Sequence, residues 1–256
     1  MTKPGISLGW NCSAAQDGVR LGLRDTKTNG YKTCPFDIMV SNYIGVCKCI
    51  SDNFKYFCDP NCLKLKEAPK MARHFPNQND NEMWIYNTYY NFVFNHESPF
   101  HGDLYLKEHW SSPYHFVENN FENFIKRYNT RIDNFKNYLN TSEYVNFILW
   151  RYNSTPLELS NTLKLKFPLL KFKINSITNF GPHTTNSLIN KHTLGAKEYE
   201  IDYLKYMNIH ESDYPQEYSR YHTEFNGLDK DIEINENIIL IDPKNDIHLN
   251  DANYLR

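Results

Sequence analysis

The feature that most constrains this chain is a repeated change of period. YVNFILW (144–150) is a continuous apolar run of strand length, and PLELSNTLKLKF (156–167) has helical spacing. LLKFKINSI (169–177) returns to strand, AKEYEIDYLKYM (196–207) and SDYPQEYSRYHTEF (212–225) read as helices, and IEINENIILID (232–242) closes the series as a strand. The chain also opens this way, with a short strand over residues 5–9 and a helix over Ser13–Arg24. Strands and helices in alternation bury their apolar faces best in a mostly parallel sheet with helices on both faces, so the expected class is α/β. Ile6–Leu8, Val145–Trp150, Leu170–Ile174 and Asn237–Ile241 should share that sheet. Sheets of this kind place their sites beyond the carboxyl ends of the strands.

Between these alternating parts, Asn42–Phe57 carries apolar residues at three-and-four spacing, and Glu82–Phe94 reads as a hairpin or an irregular strand. Phe116–Asn140 is the strongest helix. Val117, Phe121, Phe124, Tyr128, Ile132, Phe135 and Leu139 form one stripe, expected to pack in the core. No repeat or low-complexity linker divides the 256 residues, so a single domain over 1–256 is expected. The 19 Tyr and 16 Phe leave ample material for a core. A formal charge of −2 gives no field to draw nucleic acid or an anionic membrane, and neither is expected as a partner. The N-terminus lacks the apolar run of a signal peptide and no stretch is long enough to span a bilayer, which predicts a cytoplasmic protein. No G-x-G-x-x-G or Walker pattern occurs, and no cofactor is expected.

All six cysteines lie between Cys12 and Cys62. Cys47, Cys49, Cys58 and Cys62 have the spacing C-x-C then C-x3-C rather than the C-x2-C pair typical of zinc, and two of them fall in a helical pattern. No metal is therefore expected, and these four thiols, with Cys34, read best as small buried hydrophobes.

Cys12 is different. It stands in ISLGWNCSAAQDGVRLGLR (6–24), where a strand gives way to a helix. A helix N-terminus favours the thiolate through its free N–H groups and dipole, and the thiolate is the nucleophile. The same N–H groups, at Ser13 and beyond, could hold an oxyanion together with the Asn11 amide. Gly9 lets the backbone turn sharply. The competing explanation is a small residue fitting a tight corner.

The opening stretch and the CPFDIM that follows resemble an uncharacterised family of papain-like cysteine peptidases from bacteria and large DNA viruses. The matching positions are Ser7, Leu8, Gly9, Asn11 and Cys12, then Gly22, Leu23 and Arg24, then Pro35, Phe36 and Asp37. Where the family has Trp after P-F-D, this chain has Ile38. Further along, YNFVFNHE brings His96, a Y-x-x-R-I pattern brings Tyr128, Arg131 and Ile132, and FILWR ends in Arg151. The resemblance implies a thiol nucleophile, Cys12, with His96 as its base and Asp37 orienting the imidazole. His101 and His183 are alternative bases, and Arg24 and Arg151 could bind an anionic group or form internal ion pairs. Glu97 adjoins His96, but neighbouring side chains in an extended segment point apart. The name also implies a papain-like α+β layout, helical around the Cys and antiparallel around the His, as the alternative to α/β.

The function these readings favour is a thiol-dependent hydrolase or acyl transferase acting on a small-molecule, peptide or glycan substrate. Glycan metabolism through sugar or nucleotide-sugar binding, and a non-catalytic binding module, are the competing functions. Nothing in the sequence sets the oligomeric state.

Overall fold

The computed structural model of the chain describes residues 4–9, 12–68, 81–150, 157–177 and 238–241. In chain order its elements are β1 (Gly5–Ser7), α1 (Cys12–Arg20), α2 (Tyr43–Ser51), β2 (Leu63–Glu67), β3 (Met83–Asn87), β4 (Phe92–Val93), α3 (Leu104–Lys107), α4 (Glu118–Thr141), β5 (Val145–Trp150), α5 (Leu157–Lys166), β6 (Phe172–Ile177) and β7 (Ile238–Ile241).

Four strands build a sheet in the order β1-β5-β6-β7, and every pairing in it is parallel. The α/β expectation holds, and the four segments meet in one sheet. The papain-like α+β alternative would have required them to run antiparallel. A second, antiparallel sheet has the order β2-β3-β4. The hairpin expected over Glu82–Phe94 is its β3–β4 pair, while β2 was not foreseen, because LKLKE reads as a polar, charged stretch.

The alternation of side chains along β5 shows how the parallel sheet is covered. Ile148 packs with Ala14, Leu21 and Leu23 of the first helical region. Val145, Phe147 and Leu149 point the other way, into the main core with Phe135 and Leu139 of α4, Leu159 and Leu163 of α5, and Val46 and Ile50 of α2. That core is unusually aromatic: Phe36 meets Phe57, Phe92 and Phe135 edge-on at centroid distances of 5.8–6.4 Å. Edge-to-face rings at this spacing add about 0.5–1.5 kcal/mol per pair beyond the area they bury.

Element ends differ from the sequence reading for local reasons. α1 stops at Arg20 rather than Arg24, because Gly22 turns left-handed (φ +65°). Leu23 N–H then donates to Gly18 O and Gly22 N–H to Val19 O, the two bonds of a Schellman cap. α2 begins where Asn42 accepts from the Gly45 amide and ends well before Phe57, since Asn53 and Phe54 have positive φ. In α4 the regular helix starts only after residues 119–121, which are also left-handed. Beyond that point the stripe is buried as expected, with Phe124, Tyr128 and Phe135 fully enclosed. The helices expected over 196–207 and 212–225 lie outside the described residues. No helix among the described residues is long and apolar enough to cross a membrane.

Candidate functional site

Cys12 is the first residue of α1, just past the end of β1. β1 lies in a parallel sheet, so this is the carboxyl end of a strand, where such sheets carry their sites. Two contacts fix the approach to it: Leu8 N–H donates to Ile148 O at 2.9 Å, and Gly9 N–H to Ser7 Oγ at 3.4 Å. Gly9 has φ +107°, and a Cβ there would collide with Ser41 Oγ, so only glycine fits. Ser41 is buried and its hydroxyl has no hydrogen-bond partner among the described residues.

The thiol is half-buried rather than exposed. Burial pushes it above its ordinary value, against a smaller lowering from a backbone hydrogen bond. The helix N-terminus, the only influence visible in the sequence, acts in the opposite direction. Desolvation outweighs that effect here, and no charged side chain among the described residues offsets it. Activation would need a base to take the proton.

The other residues singled out by sequence fall into two clusters. In the first, the turn Pro35–Ile38 packs against β1, α1 and α4. Asp37 is buried and uses both carboxylate oxygens. Oδ1 accepts from Arg24 Nη1 at 2.8 Å and from Tyr31 OH at 3.4 Å, and Oδ2 from the Cys34 amide at 2.8 Å. Arg24 lies 4.0 Å over the Tyr31 ring. Burial alone would lower its pKa, but Asp37, Tyr31 and Cys34 together hold it above the ordinary value. Arg24 thus forms the internal ion pair that was one of its two expected roles.

In the second cluster, the loop after β4 brings His96, Glu97 and His101 together. Glu97 is fully buried. Its Oε2 accepts from Tyr128 OH at 2.8 Å and its Oε1 from Arg127 at 3.2 Å, while Arg131 Nη1 approaches that oxygen at 2.9 Å without aligning an N–H on it. Burial pushes the Glu97 carboxyl up, but Arg131, Arg127 and His96 outweigh it and hold it below the usual carboxylate value. His96 faces His101 with ring centroids 5.6 Å apart. Burial drops its pKa to about 4, so the ring is neutral at ordinary pH. His101 places Nδ1 2.7 Å from Glu82 Oε1 and Nε2 3.4 Å from Asn95 Nδ2.

No hydrogen bond or ion pair among the described residues joins Cys12, His96 and Asp37 to one another. Asp37 is engaged with Arg24, and Glu97 reaches Arg127, Arg131 and Tyr128 rather than His96. Trp10, Asn11, Arg151 and His183 lie outside the described residues, as does the side chain of Ser13. Sequence reasoning did not find Glu82, Ser41 or the pairing of Glu97 with α4. The Tyr128-x-x-Arg131 spacing was visible, but its acidic partner lies about thirty residues away and carries no local mark. No group of three or more His, Cys, Asp or Glu among the described residues is placed to hold a metal ion.

A family model described as "Putative papain-like cysteine peptidase (DUF1796)" matches residues 4–179, more than half of the chain. The chain belongs to this family. No curated protein and no solved structure matches it. The matched span runs from β1 through β6, so it takes in both clusters and the Cys12 junction.

Proposed function

We propose that this member of the family is a thiol-dependent hydrolase or acyl transferase whose nucleophile is Cys12. The observation that carries the reading is the position of that thiol, on the first residue of a helix at the carboxyl end of a parallel strand. A thiolate there attacks the carbonyl carbon of an amide, ester or thioester. The carbonyl electron pair moves onto oxygen, and the first-turn N–H groups of α1 face the developing charge. Collapse expels the leaving group and leaves a thioester on Cys12, which water or an acceptor then cleaves.

His96 is our choice of base. Its neutral ring can accept a proton at ordinary pH, no hydrogen bond among the described residues occupies it, and it matches the position the family resemblance gives to the imidazole. Asp37 supports the site at one remove, by fixing Arg24 and the turn that packs on α1. His101, tied to Glu82, is the rival base.

The test is turnover of a panel of p-nitrophenyl esters and peptidyl amides by the whole chain and by Cys12→Ala, His96→Ala and His101→Ala. Loss of turnover in Cys12→Ala, with an unchanged melting temperature, is expected. The His96 variant should fall by about 100-fold or more, within the range of general-base contributions. Full turnover in Cys12→Ala would refute the reading. Loss in the His101 variant with retention in the His96 variant would move the base.

A further inference from the structure

We propose that the Ser41 hydroxyl is a substrate-binding donor of the Cys12 site, presented to the carbonyl oxygen of an acyl substrate. The proposal rests on the thiol reading above and assigns that site a residue the sequence did not suggest.

Ser41 is only 7% exposed, and its Oγ has no partner among the described residues. A buried, unpaired hydroxyl is unusual in a folded chain, because nothing replaces the water it lost, and such groups call for an explanation. Its surroundings leave it little freedom. On one side, Val40 and Val93 exchange both backbone hydrogen bonds, at 2.8 and 2.9 Å. On the other, Asn42 donates from Nδ2 to Tyr90 O and Asn91 O at 2.8 and 3.0 Å, and its Oδ1 accepts from the Gly45 amide at 2.7 Å. Ser41 is therefore pinned between two well-bonded neighbours, with its hydroxyl against the Cα of Gly9, three residues before Cys12.

A pinned, unsatisfied donor against Gly9, on the stretch that leads from β1 to α1, has the character of an oxyanion-stabilising group. It costs the resting protein a hydrogen bond and supplies one once a substrate oxygen reaches it. The recognised chemistry is an acyl oxygen, neutral in the bound substrate and anionic in the tetrahedral intermediate. A purely structural serine in this position would be expected to bond a neighbouring carbonyl, as Ser98 does to Phe94 O at 2.7 Å.

Two reagents that consume the same thiol separate this role from mere access. With p-nitrophenyl acetate the Cys12 sulfur bonds to the acetyl carbon, an oxyanion forms, p-nitrophenolate leaves and the thiol proton passes to base or solvent. With iodoacetamide the sulfur displaces iodide from a CH2 carbon, and no oxyanion forms. In Ser41→Ala, acetylation of Cys12 should slow by about 100-fold, the loss typical of one oxyanion donor, while alkylation of Cys12 keeps its rate. The melting temperature should hold or rise, since an unpaired hydroxyl has been removed. Ser41→Gly gives the same readout should the alanine variant fail to fold.

Equal acetylation rates in the wild type and the Ser41 variants would overturn the Ser41 assignment and leave the thiol reading intact. Parallel slowing of both reagents would also overturn it, by showing that Ser41 acts on the thiol and not on the acyl oxygen. No acetylation of Cys12 in the wild type would refute the thiol reading itself, and the Ser41 role with it.

Discussion

The two ends of β1 differ in what their polar groups meet. At its start, Gly5 has no side chain because Arg24 and the Leu23 carbonyl pack directly on it, and Arg24 carries its guanidinium to Asp37. Both oxygens of Asp37 are occupied there. At its far end, Gly9 passes against Ser41, whose hydroxyl is unpartnered, and Cys12 has no side-chain partner among the described residues. Buried polar groups are normally paired, so the ion pair at the first end reads as structure, although Arg24 Nε there is also buried without a partner among the described residues, and the end beside Cys12 reads as the place proposed for a ligand. Much of the family motif falls at the first end. G-L-R caps α1 and supplies Arg24, and P-F-D supplies a core ring and Arg24's partner. Only S-L-G-x-N-C leads to the proposed nucleophile.

The comparison can be broken most forcefully at Glu97, the second saturated carboxylate. Glu97→Gln leaves Arg131 buried without its counter-charge and should cost about 3–5 kcal/mol, the usual penalty for removing one partner of a buried pair. A denaturant midpoint within experimental error of wild type would show that the pair does not hold α4 to its loop. Asp37→Asn should follow at about 3 kcal/mol for the same reason. Replacing both partners, as Arg24→Met with Asp37→Leu, should recover most of that loss. If the double variant is no better than the single, Asp37 does more than neutralise Arg24.

A pH titration of stability sharpens the picture at His96. The folded ring resists protonation down to about pH 4, whereas the ordinary value is 6.5. As pH falls, the unfolded chain binds this proton first. The contribution is therefore complete above about pH 6.5 and is lost progressively between 6.5 and 4, on the order of 3 kcal/mol in all. Below that window Glu97 adds a further loss, because its carboxyl is held low in the folded state and its stabilisation vanishes once it takes a proton. His96→Gln should flatten the curve between pH 6.5 and 4 and leave the more acidic part in place. An unchanged slope would mean that His96 is not desolvated. The smallest stability effect belongs to the end beside Ser41: Cys12→Ala should shift stability by no more than about 1 kcal/mol, as expected for a half-buried group with no side-chain partner.

What the sequence revealed follows from the range of the interactions involved. The parallel sheet was legible because strand and helix periods are local, and apolar runs such as YVNFILW and KINSI can bury both faces only in one kind of sheet. The stripe of α4 was legible for the same reason. β2 was not, since LKLKE has the composition of an exposed edge and owes its strand to pairing with β3. Within the site, Cys12 stood out through the strand–helix junction around it. Ser41 had no such mark: its significance comes from the missing Cβ of Gly9, more than thirty residues away, and from the absence of a bond. The thiol's direction of shift was misjudged because a sequence shows the helix N-terminus but not the burial that outweighs it.

The central claim is that Cys12, and no other thiol, takes the acyl group. Five competitors share the chain, and two of them, Cys58 and Cys62, are also half-buried rather than enclosed. Both have raised pKa values, with Cys58 pushed up to about 12 by burial, and Cys12 is raised as well, so the selectivity expected of Cys12 rests on its position at the start of α1. The direct measurement is to treat the native chain with substoichiometric p-nitrophenyl acetate at pH 7.5, quench in acid and map the acetyl group by peptide mass spectrometry. The account predicts one acetyl group per chain at most, carried on the peptide containing Cys12, and no adduct in Cys12→Ala. An acetyl group shared among Cys58, Cys62 and Cys12 in proportion to exposure, or an undiminished adduct in Cys12→Ala, would contradict it.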